Sequence, residues 1–217
     1  MGFSTLIDIL GSTLVGGLIL LILFRMNDSS VENHYLNSGE MIVQSNLLSV
    51  IELLEHDFRK IGYCEDYDKI PNPAIAIIEA TDTSIAFQTD VAQSEAVQTG
   101  DGEVDILKYW VGSPIDSDVM GTPNPKDRIL FRQVNSETPL AANLGITQFS
   151  LKYFDDDGEE IATMPSAPPL GIITLQIDVT VENTASYGDA ANDDVYSKDK
   201  SAFWRQIRLS APGLSIR

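Results

Sequence analysis

The sequence predicts an α+β protein in which a long N-terminal helix, membrane-spanning in its first half and amphipathic in its second, packs on an antiparallel β ectodomain. Three observations carry this reading. The chain opens on a long apolar run, continues with apolar residues at helical spacing, and then changes to short β-branched and aromatic runs separated by Pro, Gly, Asn and Asp. The 217 residues divide accordingly into 1–25, 26–62 and 63–217.

No charge occurs from Ile9 to Phe24, and extending the run back to Phe3 gives 22 residues interrupted only by Asp8. At about 1.5 Å per residue these span about 33 Å, enough for a hydrocarbon core about 30 Å thick. Gly11, Gly16 and Gly17 weaken a helix in water, whereas in a membrane such small residues let helices approach closely. A cleaved secretory signal predicts a basic start, a shorter apolar run and a small-residue cleavage site. Here no Lys or Arg precedes Arg25, and Phe24-Arg25-Met26 is a poor cleavage site, so the segment reads as a retained anchor.

Asn27-Asp28-Ser29-Ser30 supplies capping residues, which predict the end of one helix and the start of another. Leu36, Ile42, Val43, Leu47, Val50, Ile51, Leu54, Phe58 and Ile61 then recur at spacings of an amphipathic helix that ends near Gly62 and packs on a sheet. Strands are expected at Ala74–Ile78, Ser84–Thr89, Val104–Val111, Ile129–Val134, Ile146–Phe154, Ile172–Glu182 and Phe203–Ser210. In Ile173-Leu175-Ile177-Val179-Val181 the alternation is faultless, placing one face on a core and the other in water. Long surface loops are expected from Pro114 to Pro125 and from Asn183 to Lys200, the second carrying Asp189, Asp193, Asp194 and Asp199.

The chain holds 14 Lys and Arg against 32 Asp and Glu, a net charge of −18. Because Asp8 and Arg25 cancel, all of it falls on residues 26–217, a surface expected to repel nucleic acid and anionic lipid headgroups, so no direct nucleic-acid binding is expected. The single cysteine, Cys64, excludes an intrachain disulfide and reads as a small buried hydrophobe.

Gly2-Phe3-Ser4-Thr5-Leu6-Ile7-Asp8-Ile9-Leu10, running directly into the apolar helix, resembles the Gly-Phe-Thr-Leu-Ile-Glu-Leu-Leu signature of type IV pilins and type II secretion pseudopilins. Asp57-Phe58-Arg59-Lys60-Ile61-Gly62-Tyr63 is similar to the Asp-x-Arg-x-x-Gly-Tyr segment closing the long helix of minor pilins and J-class minor pseudopilins. Phe149 to Gly158 resembles their Tyr-Phe-Asp-x-x-Gly hairpin, and the order of the last strands agrees. The resemblance implies a pilin-like fold, cleavage by a prepilin peptidase between Gly2 and Phe3, N-methylation of Phe3, and bundling of the apolar helix inside a filament. It also implies homologous pilin or pseudopilin subunits and a membrane assembly platform as partners, with lipid holding the subunit before assembly. Asp8 is the acidic residue that would neutralise a neighbour's terminal ammonium. It lies one position later than the glutamate of the signature, rotated by about 100°. Gly11, Gly16 and Gly17 are the expected close-packing positions.

The resemblance also orients the N-terminus toward the cytoplasm and the ectodomain outside, against the positive-inside tendency of Arg25. The filament would then be extracellular or periplasmic. No Gly-x-Ser-x-Gly elbow, phosphate-binding glycine loop or His-Glu-x-x-His occurs, and His34 and His56 both read as helix-surface residues, so no enzyme and no catalytic residue is expected. Asp155-Asp156-Asp157-Gly158-Glu159-Glu160 reads first as a hairpin turn and second as a calcium site using Asp155, Asp157 and Glu159, the only cofactor the sequence raises. Trp110 and Trp204 read as core or sheet-face residues rather than a sugar platform. The function expected is a pilin-like or pseudopilin subunit of a type IV pilus or type II secretion-type filament, of the minor class. The alternative is a monomeric, membrane-tethered binding or adhesion protein.

Overall fold

The computed structural model describes residues 2–91, 100–114, 124, 126–162, 170–183 and 202–214. Among them are one helix, α1 (Gly2–Phe58), a 3-10 turn (Pro73–Ile75) and seven strands. The strands are β1 (Ile77–Ala80), β2 (Ser84–Thr89), β3 (Asp105–Val111), β4 (Arg128–Val134), β5 (Leu140–Phe154), β6 (Thr174–Glu182) and β7 (Ala202–Ser210). The chain forms two compact units, Met1–Met41 and Ile42–Arg217. The α+β class is as expected, a long N-terminal helix followed by an antiparallel sheet that covers its C-terminal turns.

The break expected at Asn27-Asp28-Ser29-Ser30 does not occur, and α1 runs through these residues. Each costs about 0.7 kcal/mol or less relative to alanine in a helix interior. Without a proline or a left-handed residue, that does not outweigh the continuous ladder of helical hydrogen bonds.

In the second unit, α1 buries Val43, Leu47, Val50, Ile51, Leu54 and Phe58. At roughly 1.5–3 kcal/mol for each fully buried side chain, this stripe contributes gross stabilisation on the order of 10 kcal/mol. Burial begins later than the spacing suggests, because Ile42 is 59% exposed. One residue corresponds to about 100° of rotation, which carries Ile42 off the face that Val43 occupies. At the far end, α1 stops at Phe58, and tight turns (Lys60 N to Asp57 O, 3.1 Å; Tyr63 N to Lys60 O, 2.9 Å) lead through Gly62. Gly62 has φ +73°, and a Cβ there would lie 3.1 Å from the Pro73 side chain.

The sheet is a simple meander in the order β1 to β7, every neighbouring pair antiparallel. Leu175, Ile177, Val179 and Val181 of β6 are fully buried while the residues between them are half-buried, as the alternation requires. Phe58 is held edge-on between Phe87 and Tyr109, with ring centroids 5.6 Å apart in both pairs. Cys64 is buried, as a small hydrophobe should be.

Two strand expectations need correction. Ala74–Ile78 is not one strand: Asn72 accepts the Ala74 N–H at 3.2 Å, Pro73 supplies a preset φ, and together they wind a 3-10 turn before β1 starts at Ile77. β5 begins at Leu140 rather than Ile146, because Leu140, Ala141 and Ala142 pair with Arg132, Phe131 and Leu130 of β4 despite weak intrinsic strand preference. The loops expected at Pro114–Pro125 and Asn183–Lys200 lie almost entirely outside the described residues.

After β7 the chain tucks back under the end of the helix, burying Ala211 and Leu214. A Cβ on Gly213 would come within 2.4 Å of the Ile61 carbonyl oxygen, a backbone atom that cannot swing aside. Gly213→Ala should therefore destabilise the folded second unit by about 1–3 kcal/mol, as overpacking does. Thermal denaturation of the variant checks this, and an unchanged midpoint would refute the close approach.

Candidate functional site

Two features stand out as functional, one in each unit. In the first unit, the large apolar side chains from Phe3 to Phe24 are all exposed, from Leu18 at 52% to Phe3 at 81%. This helix is long and apolar enough to cross a membrane, and nothing in its own unit covers it. Such a surface is unfavourable in water, at about 25 cal/mol per Å² left wet, and requires lipid or protein around it. Its polar residues suit an apolar medium. Thr5 donates to Gly2 O at 3.1 Å, Ser12 to Ile9 O at 2.9 Å, and Thr13 to both Ile9 O and Leu10 O. Each hydroxyl is thus satisfied by the helix itself.

The regular helix sorts these residues by side. Ser4, Asp8, Ser12 and Gly16 follow one another at every fourth position, beside a second row of Thr5, Ile9, Thr13 and Gly17. Leu6, Leu10, Leu14 and Leu18 form the row about 160° away from the first. The three glycines open on different sides: Gly11 points about 140° from Gly16 and about 120° from Gly17. No heavy atom lies within 4 Å of a Cβ built on any of them, so all three are open to a neighbour. Gly2 and Phe3 lie at the helix start, equally open. Asp8 is exposed, and no partner for its carboxylate occurs among the described residues.

In the second unit the feature is a buried carboxylate. Asp57 lies in the last turn of α1 on the sheet-facing side and is buried. Its Oδ2 accepts from the Tyr109 hydroxyl (2.5 Å) and from Arg132 Nε (2.8 Å), and its Oδ1 lies 2.9 Å from His56 Nδ1. Burial alone would raise its pKa, but the Tyr109 hydroxyl, the Arg132 guanidinium and His56 together hold it below the ordinary value. Burial and the adjacent carboxylate drive Tyr109 strongly upward, so its hydroxyl remains a donor.

The Asp-x-Arg-x-x-Gly-Tyr segment thus has a structural meaning. Asp57 ties the helix to β3 and β4, Gly62 makes the turn, and the Tyr63 carbonyl accepts the Asp90 N–H at 2.9 Å. Sequence reading had not identified Tyr109 and Arg132 as partners of Asp57. The available signal was parity: Tyr109 shares its side of β3 with buried Leu107, and Arg132 shares its side of β4 with buried Leu130. A cleft of about 110 Å³ opens beside Arg132, lined also by His56, Lys60, Thr89 and Val91.

The remaining candidates are dispersed. Asp155 accepts the Glu159 N–H on its own Oδ1 at 2.8 Å, Gly158 has φ +82°, and the segment forms a hairpin turn between Phe154 and Glu160. Three acidic ligand atoms converge within 4.8 Å at Asp90, Asp101 and Asp105, a group that does not include Asp155, Asp157 or Glu159. There the oxygens already accept protein donors, among them the Asp101, Gly102 and Val91 N–H groups. His56 is 65% exposed at its side chain, and His34 lines only a shallow surface groove of the first unit. Trp110 stacks on Phe131 at 5.1 Å on the side of the sheet away from the core, and Trp204 is 62% exposed.

No family model matches the sequence, and no curated protein sequence matches it either. Among solved structures, a type IV-like pilin from Thermus thermophilus aligns over 79% of this chain and 98% of its own, at 10% identity with a TM-score of 0.45.

The buried cluster generates a test. Because the folded pKa of Asp57 is depressed, its contribution to stability is present above its unfolded value near 3.8 and is lost as pH falls through the folded value. Asp57→Asn should therefore flatten the acid limb of the stability curve below about pH 4. Arg132→Ala, which leaves the buried carboxylate without its cation, should cost about 3 kcal/mol at neutral pH. Denaturant melts between acid and neutral pH read both, and parallel acid limbs in wild type and Asp57→Asn would contradict the assignment.

Proposed function

We propose that the protein is a pilin-like or pseudopilin subunit, of the minor class, that is stored in a membrane through residues 3–24 and assembled into a filament by the same helix. The observation that carries this is the exposed, sided apolar helix that begins with the Gly2-to-Leu10 signature and leads into a folded antiparallel ectodomain. Assembly exchanges lipid for protein around an already apolar helix, so hydrophobic burial contributes little and packing decides the partner. The Ser4, Asp8, Ser12, Gly16 row admits a neighbouring helix closely, whereas the leucine row fills space against lipid or a third helix. Gly11 and Gly17 open other sides, which suits a bundle with several neighbours better than an isolated pair.

Asp8 gives the row its direction. A carboxylate in hydrocarbon costs several kcal/mol unless paired, and the amino terminus freed by cleavage after Gly2 is the cation that family logic supplies from the next subunit. The ectodomain then makes the lateral contacts, with prepilin peptidase and an assembly platform acting before and during extraction. The monomeric tethered-binder reading leaves the small-residue row and Asp8 without a role.

Mass spectrometry of the mature chain tests the processing step, with N-methylated Phe3 as the expected terminus and an intact Met1 as the refuting one. Asp8→Ala should lower incorporation into filaments by about tenfold or more, the scale of losing one charge-assisted contact, while Asp8→Glu retains it. Gly16→Leu should impair incorporation more than Leu14→Phe on the opposite row. The ectodomain melting transition should be unchanged in all four, and wild-type incorporation of Asp8→Ala would defeat the charge-pairing mechanism.

A further inference from the structure

Arg132 is engaged from one edge only. Its Nε donates to Asp57 Oδ2 at 2.8 Å and to the Tyr109 hydroxyl oxygen at 2.9 Å, and its side chain is 22% exposed. The Nη nitrogens make no hydrogen bond among the described residues, and Arg132 is one of the residues lining the 110 Å³ cleft. A guanidinium locked through Nε presents its two Nη groups as a rigid fork whose parallel N–H bonds match the two oxygens of an oxyanion.

The electrostatic surroundings favour the same ligand. Both carboxylates that line the cleft are already satisfied. Asp57 has Arg132, Tyr109 and His56, and Asp90 accepts backbone N–H groups from Glu65 (3.1 Å), Asp101 (2.9 Å) and Gly102 (2.9 Å). Lys60 lines the same cleft and has no carboxylate partner among the described residues. What distinguishes Lys60 is its place, on the same cleft as the open guanidinium edge of Arg132. The volume sets the size, since at about 30 Å³ per water it displaces roughly three or four waters, well short of the 300 Å³ at which drug-sized ligand pockets begin.

We propose that this cleft binds a small oxyanion, a phosphate or carboxylate group, through the Nη edge of Arg132 with Lys60 as the second cation. This assignment stands apart from the filament reading, because it concerns the ectodomain surface and holds for a monomer as well. The net charge of −18 repels anions from the chain as a whole, so binding at this cleft should be saturable rather than diffuse.

The test uses the full-length chain in detergent micelles, titrated separately with inorganic phosphate and with acetate at ionic strength held constant by sodium chloride. Backbone and side-chain chemical shifts of Lys60, Thr89, Val91 and Arg132 should move saturably. Lys60→Gln should weaken binding about tenfold, the worth of one charge-assisted hydrogen bond, and Lys60→Arg should restore most of it. Arg132→Lys keeps the charge but removes the fork, and should weaken binding by a similar factor; should it unfold, the Lys60 pair alone decides. A stronger response to phosphate assigns a phosphoryl ligand, and a stronger response to acetate assigns a carboxylate such as a partner's acidic side chain. No saturable response to either anion up to about 20 mM, or saturation unaltered by Lys60→Gln, would overturn the site.

Discussion

Covering one face of a helix is the constraint on which the folded body depends. Val43 to Phe58 present a stripe that has no partner within the helix, and strands from β1 to β7 contribute to the core that closes over it. The meander order follows from economy of connection: each strand pairs with its sequence neighbour, so no crossover is needed to lay a continuous sheet against one helix. Asp57 then adds what apolar contact lacks, a fixed rotation of the helix about its own axis. A slip of one residue would carry the carboxylate about 100° away from Tyr109 and Arg132 and leave a half-buried guanidinium unmatched.

Much of this was legible from residue order. The alternation over Ile173–Val181 identified a strand with one fully buried face, the spacing from Val43 to Phe58 identified the helix face, and the Asp-Gly-rich segment after Phe154 identified its turn. The misses share a cause, which is that local patterns cannot see their partners. Asn72-Pro73 caps a 3-10 turn inside a run rich in isoleucine, and only the hydrogen bond to Ala74 distinguishes it from a strand start. Leu140-Ala141-Ala142 has weak strand preference and becomes a strand because β4 offers it a ladder. Asn27 to Ser30 looked like a stop signal because four polar residues in a row favour caps, yet capping is needed only where a helix has another reason to end.

The candidate sites were legible in proportion to how local they are. The row of small residues along residues 4–17 lies within a single helix, so helical arithmetic recovers it. Arg132 and Tyr109 are different. Their connection with Asp57 exists only after three elements meet, and a polar residue at inward parity on a strand is the one trace it leaves in the sequence. The same helix therefore carries two kinds of surface on one geometry: exposed apolar side chains with a small-residue seam in residues 3–24, and a one-sided buried stripe in residues 43–58.

The contact between Gly213 and the Ile61 carbonyl has a consequence for biogenesis. During synthesis the helix leaves the ribosome before the segment that closes over its end is made. Until it arrives, the end of α1 lacks the cover that Ala211 and Leu214 provide, and the sheet lacks its final strand. Docking of that last turn therefore follows the whole sheet in chain order, and it completes the cover of a helix end made long before it.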